Sequence, residues 1–214
     1  MGVQKRKARE KQARQEAILK AAQKVFFAKG LDQATIDDVA EKAELSKGTI
    51  YLYFKSKEEL YMSVFLKGLD LLTARFRKLR RRFATLSAVE LVREVRDIYY
   101  NFYMKYPEYF YISSLLYHGR VNAKIESETL EATHQKTQAC LLVFSEIIER
   151  GIADGVFKEV DSWKTANGFW GAATGVMMLL NNEEYQTFIK IPVKELLVDT
   201  TELLIEGLKI EIER

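Results

Sequence analysis

Residues 35–60 read TIDDVAEKAELSKGTIYLYFKSKEEL, and three helix starts are packed into this one stretch. Thr35 and Asp38 form a capping pair: the hydroxyl takes an orphan amide, and the carboxylate favours the positive end of the helix. Ile36, Val39, Ala40 and Ala43 then mark one apolar face. Ser46 is placed to cap a second short helix, Lys47 to Phe54, in which Ile50 and Phe54 lie one turn apart and point inward. Ser56 and Glu59 repeat the capping pattern and launch a longer helix through Leu60 and Val64. Two short helices joined by a tight turn and followed by a long one predict a helix-turn-helix that reads DNA.

Upstream, Ile18, Ala22, Val25, Phe26 and Lys29 keep helical spacing and predict a first helix from about Arg9 to Lys29, stopped by Gly30 and Leu31. Lys5, Arg6, Lys7, Arg9, Lys11 and Arg14 precede the first apolar helix, opposed within that run only by Glu10. Such a run reads either as a solvated tail or as an arm for phosphates and an adjacent minor groove. Downstream, Tyr61, Val64, Phe65, Leu69, Leu72, Phe76 and Leu79 extend helix four from about Lys57 to Arg82. It ends in Arg75, Arg77, Lys78, Arg80, Arg81 and Arg82, cations suited to the negative end of a helix, with a second DNA surface as the other reading.

The stretch resembles the DNA-binding domain of the TetR family of bacterial transcriptional repressors. The likeness rests on Ile18, Ala21, Ala22, Phe26 and Gly30, then Thr35-Ile36, Val39-Ala40 and Ala43. It continues through Ser46-Lys47-Gly48-Thr49-Ile50-Tyr51, Tyr53-Phe54 and Lys57-Glu58-Glu59-Leu60, roughly the first quarter of the chain. One departure is Glu44-Leu45, where the family has glycine before the apolar residue; only glycine adopts positive φ freely, which predicts strain or a remodelled turn at Glu44. The resemblance implies that Lys47, Gly48, Thr49 and Tyr51 face the major groove, Gly48 allowing close backbone approach. It implies phosphate contacts for Thr35, Tyr53 and Lys57. Asp37 falls where some members touch a base, and also where any helix welcomes an acid.

Composition narrows the rest. With 214 residues the chain holds one small domain and a larger one, and with only two prolines it suits a mostly helical protein. No apolar run is long enough to span a bilayer, and the basic N-terminus lacks the apolar stretch of a signal peptide. Cys140 stands alone, which excludes an intrachain disulfide, fits a reducing cytoplasm and reads as a small buried residue rather than a redox sensor. Net charge is only +3, so the clustering of the cations matters more than their total.

Past helix four, Ser87 and Glu90 predict a cap for a helix to about Tyr106, with Leu91, Val95, Ile98 and Phe102 as its core stripe. Pro107 ends it and opens a short helix through Tyr117, broken by Gly119. A long helix from about Asn122 to Ile152 aligns Leu130, His134, Thr137, Leu141, Phe144 and Ile148 on one face. Ser162–Leu180 has two faces: Trp163, Ala166, Trp170, Ala173 and Met177 on one, Gly168, Gly171, Ala172, Gly175 and Leu179 on the other. Glycine costs a helix about 1 kcal/mol relative to alanine, so three on one face predict close approach by another helix. Pro192 opens the last helix, with Leu196, Leu197, Leu203, Leu204 and Leu208 on its apolar side.

A short reading helix makes few base contacts, so a specific site requires a two-fold dimer on a palindromic operator of double-stranded DNA. The resemblance implies that the last two long helices form that dimer; Gly168, Gly171, Ala172, Gly175, Leu196 and Leu203 are the candidates. Tyr99, Phe102, Tyr103, Phe110, Tyr117, His134, Phe144, Trp170 and Met177 concentrate in the middle helices and suit either an effector cavity or a filled core. No inward acidic cluster stands out, which points to a neutral, aromatic or fatty small-molecule effector rather than a dication. An enzyme is the rival class, but His118 and His134 are the only histidines, and no phosphate loop, cofactor motif or metal-ligand spacing appears. A regulator that answers to a protein partner, its aromatics being simply core, is the third class. The expectation is an all-α protein of about nine helices: an arm and reader over residues 1–56, then an effector-binding and dimerisation domain over 57–214. It is expected to be cytoplasmic, free of cofactor and free of metal.

Overall fold

A computed structural model describes residues 2–110, 112, 127–180, 185, 187–188 and 190–210. The fold is all-α. Its long-range order lies in α1 (Gly2–Gln33), α2 (Ile36–Ala43), α3 (Lys47–Tyr51), α4 (Lys57–Arg80) and α5 (Ala88–Lys105). These are followed by α6 (Ser127–Ala153), α7 (Ser162–Leu180) and α8 (Val193–Leu208). Among the described residues the only β pairing is an isolated antiparallel bridge between Phe157 and Lys209. None of the described helices is long and apolar enough to cross a membrane.

The chain forms two compact units, and α4 and α6 each contribute to both. The first comprises Met1–Leu69 and Glu108–His134. Ile18, Ala22 and Phe26 from α1, Val39 from α2, Ile50, Phe54, Leu60 and Tyr61 are all but inaccessible and make its core. Each such large side chain contributes about 1.5–3 kcal/mol on leaving water. The Phe26 and Tyr61 rings meet edge to face at 5.0 Å. Gly68 lets the Tyr109 ring lie directly on the α4 backbone, where a Cβ would come within 2.6 Å of ring carbons. Tyr109 also meets Phe27 edge to face.

Helix α1 begins at Gly2 rather than near Arg9, so the basic run is helical and continuous with it. Residues 2–17 are exposed throughout, and burial begins only at Ile18. Gly30 supplies the anticipated break, at φ 72° and ψ 175°. Helix α3 is three residues shorter than its periodicity suggests. Leu52 and Tyr53 form a turn that still returns Phe54 to the core, its amide bonded to the Ile50 carbonyl at 3.0 Å.

The second unit comprises Asp70–Pro107 and Gln135–Arg214. Ser87 caps α5 in a full capping box with Glu90, as its spacing anticipates. Helix α8 packs on α7 and α5. Arg93 and Arg96 of α5 converge on Glu202 of α8, Arg93 in a two-pronged grip with Nε at 2.8 Å and Nη2 at 2.6 Å. A Cβ on Gly151 would sit 2.0 Å from the Phe157 ring, so α6 accepts that ring only as glycine. Cys140 is buried beside Thr73, and burial pushes its thiol pKa up. Of the basic cluster at the end of α4, Arg80 pairs with Glu146 and Arg82 with Glu94.

Two of the anticipated faces need correction. On α6 Leu141, Phe144 and Ile148 of the anticipated stripe are buried, but toward the start of the helix Thr133 and Cys140 are buried instead of His134 and Thr137. His134 is exposed, and Thr133 is buried with its hydroxyl bonded to the Thr129 carbonyl at 2.8 Å. On α7 Ala166 and Met177 are buried as anticipated, but Phe169 replaces Trp163, which is exposed.

Candidate nucleic-acid interface

Local hydrogen bonds cap the short helices of the reader. Thr35 Oγ1 accepts the Asp38 amide at 3.1 Å, and Asp38 Oδ2 accepts the Thr35 amide at 2.9 Å, a reciprocal box closed further by Lys29 Nζ on Oδ1 at 2.8 Å. Those bonds, with Lys29 first and Thr35 after it, hold the Asp38 pKa down to about 2. The Thr35 hydroxyl accepts the Asp38 amide and its side chain also bonds the Asp38 carboxylate, so a phosphate would compete with Asp38 for its proton.

The turn after α2 passes through Glu44 in the left-handed region, φ 56° and ψ 44°. The Leu45 amide reaches back to the Ala40 carbonyl at 2.9 Å, and this closure holds a non-glycine residue in a conformation L side chains rarely adopt. Ser46 Oγ then accepts the Thr49 amide at 3.2 Å and shares a 2.8 Å bond with the Thr49 hydroxyl.

With Ile50 buried, Lys47, Gly48 and Tyr51 of α3 are turned outward. Tyr51 is 45% exposed and the following Leu52 80%. Leu52 was not among the anticipated contacts; its place half a helical turn from Ile50 is the signal that marks it as outward. Lys47 Nζ pairs with Asp37 Oδ2 at 2.8 Å, which raises the Lys47 pKa and links α2 to α3 on the exposed side. A Cβ on Gly48 would find nothing nearer than Ser46 Oγ at 3.9 Å. Packing within the chain therefore gives no reason for glycine there. Thr49 and Tyr53 are half-buried at the edge of this surface.

Lys57 is committed more deeply than a surface phosphate contact. Its ammonium donates to Leu31 O at 2.7 Å and Ala34 O at 3.0 Å, which leaves one of three N–H groups for an outside partner. Glu59 is buried and accepts the Lys55 amide at 2.9 Å, so the start of α4 is pinned on both sides.

The anticipated effector residues do not form one group. Tyr99, Phe144 and Trp170 line a cleft in the second unit together with Val92, Val95, Arg96, Phe169, Ala173 and Thr201. Tyr99 stacks obliquely on Trp170 at 4.6 Å and shares a 3.1 Å hydrogen bond with Thr174. The cleft holds about 20 Å³, room for roughly one water molecule. Phe102, Tyr103 and Met177 are buried in the same unit, whereas Phe110 and His134 belong to the first; Tyr117 and His118 lie outside the described residues. Of the anticipated dimer residues, Gly168, Gly171 and Gly175 are exposed, with nothing within 4 Å of a Cβ built on any of them. Ala172 and Leu196 are half-buried, and Leu203 is 75% exposed.

Residues 18–64 match the family model of bacterial regulatory proteins of the tetR family. Over 168 residues the chain is 29% identical to an uncharacterized HTH-type transcriptional regulator, YfiR, of Bacillus subtilis, spanning 75% of this chain and 76% of that one. It is 30% identical over 145 residues to the HTH-type transcriptional repressor NicS of Pseudomonas putida, 66% of this chain and 65% of that protein. The fold is similar to that of the transcriptional regulator FadR from Bacillus subtilis in complex with stearoyl-CoA. The TM-score is 0.70 at 21% identity, covering 90% of this chain and 98% of that one.

Proposed function

We propose, from the premise that this chain belongs to the TetR family of bacterial transcriptional regulators, that it is a sequence-specific repressor released from its operator by a small effector. The helix-turn-helix makes it a DNA-binding regulator. One observation carries the finer reading: α3 turns Lys47, Gly48 and Tyr51 outward on a base fixed by Ile50, Phe54 and three caps. Donors around the rim, at Thr35, Tyr53 and the remaining N–H of Lys57, fix register on phosphates, and the α3 side chains read base edges. The helical basic run of residues 5–14 adds non-specific affinity.

Five residues of α3 offer too few base contacts for a specific site, so the reader acts twice, as a homodimer on a palindrome. The bare glycine face of α7 and the outward Leu203 of α8 support these helices as the dimer surface. The effector is a lipophilic or aromatic compound held in the second unit, a reading supported by its buried aromatics and by the stearoyl-CoA bound to the similarly folded FadR. Binding that favours a wrongly spaced pair of readers weakens operator affinity by the difference in its affinity for the two states. Coupling of ~1–3 kcal/mol changes operator affinity roughly 5–150-fold. Helix α4, shared by both units, is the proposed lever. The protein acts in the cytoplasm and catalyses nothing.

The test is selection of bound fragments from random DNA at physiological salt, with Tyr51→Ala alongside. A palindrome recovered by the native chain and blurred by the variant supports reader, dimer and recognition helix together. Retention that merely falls with salt, with no motif, would leave only non-specific binding by the basic run and overturn the reading.

A further inference from the structure

Arg75 of α4 is the one described residue with a fully buried side-chain nitrogen that meets no hydrogen-bond partner, at Nη1. Its guanidinium carbon lies 5.2 Å from the centre of the Phe102 ring and 5.5 Å from that of Tyr106. Those two rings, one helical turn apart on α5, are themselves 5.4 Å apart and inclined at 51°. All three side chains belong to the second unit. Of the unit's other arginines, Arg80, Arg82, Arg93, Arg96 and Arg150 each hold a carboxylate, and Arg77 and Arg81 are exposed to water. Among the described residues Arg75 has none.

The physical difficulty is specific. The side chain as a whole is half-buried, but Nη1 of its guanidinium is shut off from solvent. Ring faces attract its charge from above, but its N–H bonds lie in its plane, and the rings leave Nη1 unsatisfied there. A buried donor of this kind is disfavoured in a free protein and becomes favourable once an anion arrives. The planar fork suits a carboxylate or a phosphate, and the aromatic pair beside it suits an apolar chain attached to that anion.

We propose that Arg75 anchors the acidic headgroup of the effector, with Phe102 and Tyr106 carrying the start of its apolar body. The ligand class is an amphiphilic anion, a carboxylate or phosphate on an apolar chain, which amends the expectation of a neutral effector. This rests on the effector-responsive reading above and adds a headgroup to it.

Three probes of equal chain length separate the possibilities: dodecanoate, dodecyl phosphate and dodecanol. Each is titrated below its micelle concentration into the full-length protein, with tryptophan fluorescence and melting temperature as readouts. The native protein is expected to bind one of the anions at least about tenfold more tightly than dodecanol, the worth of a charge-assisted hydrogen bond. The better of the two identifies the headgroup as carboxylate or phosphate. Arg75→Met should bind all three alike and melt no lower than native, because it removes a buried donor, Nη1, that lacks a partner. Arg75→Lys should keep a reduced preference for the anion, which preserves the test if the methionine variant does not fold. Equal affinity of the native protein for dodecanol and both anions would overturn the headgroup and leave the lipophilic effector standing. An anion preference that survives in Arg75→Met would place the anchor elsewhere and overturn it too. No binding of any of the three would sink the lipophilic effector and this inference together.

Discussion

The ammonium of Lys57, at the first turn of α4, donates to the carbonyl oxygen of Leu31 at 2.7 Å and also reaches Ala34 O at 3.0 Å. These carbonyls lie where α1 gives way to α2, at the negative end of a helix with no further turn to satisfy them. One side chain thus ties the end of α1 to the start of α4, a role that its place in the helix-turn-helix motif does not announce. Lys57→Met is expected to lower stability by about 2 kcal/mol, the worth of hydrogen bonds from a charged donor, as read by chemical denaturation. A variant that unfolds at the native denaturant concentration would reduce Lys57 to a DNA contact alone.

Asp38 gives the reader a pH signature. Its folded pKa of about 2 lies below the ordinary 3.8, so the stabilisation is fully present above about pH 4. It is lost as pH falls toward 2. Denaturation of the native chain and of Asp38→Asn across this range should show a gap that is constant near neutrality and closes between pH 4 and 2. Thr35→Ala removes the other half of the box and should cost about 1 kcal/mol near neutrality.

Gly48 separates folding from function. The space where its Cβ would go is open, so Gly48→Ala should leave the melting temperature unchanged or raise it, alanine favouring a helix by up to about 1 kcal/mol. Operator affinity, measured by fluorescence anisotropy, should nonetheless fall by about tenfold or more, because the added methyl meets the DNA backbone or base edge. Unchanged affinity would remove α3 from the groove.

Gly171 offers the same separation for assembly. Nothing within the chain contests its missing Cβ, so Gly171→Leu should fold as well as native and fail to pair. Sedimentation at low micromolar concentration should find a monomer with native helicity and much weakened operator binding. A variant that remains dimeric there would move the interface off the glycine face of α7.

Much of the reader was legible because its determinants are local. The bonds from Thr35 to Asp38, Ser46 to Thr49, Ser56 to Glu59 and Ser87 to Glu90 each span three residues, and every one of these caps is formed. The strained residue at Glu44 was legible for the same reason, since a missing glycine in a turn of fixed length leaves a left-handed residue in its place. Helix ends were less so. Between Val3 and Ile18 the only apolar residues are alanines, too small to mark a core stripe, yet α1 continues to Gly2. Past Tyr51 the spacing continues to Phe54 although the backbone has already turned.

What the sequence determined by itself was therefore the all-α class, the caps, the outward face of α3 and the resemblance to the TetR family, because each is encoded in local stretches of the chain. Tertiary structure alone decided that Thr133 and not His134 turns inward, that Phe110 sides with the reader's unit, and that Gly68 and Gly151 exist to admit the Tyr109 and Phe157 rings. It alone left Arg75 between two rings without an acid. Periodicity fixes that a helix has an apolar stripe, but which polar residue at its edge turns inward is settled only by the surface it meets, and that surface comes from residues far away in the chain.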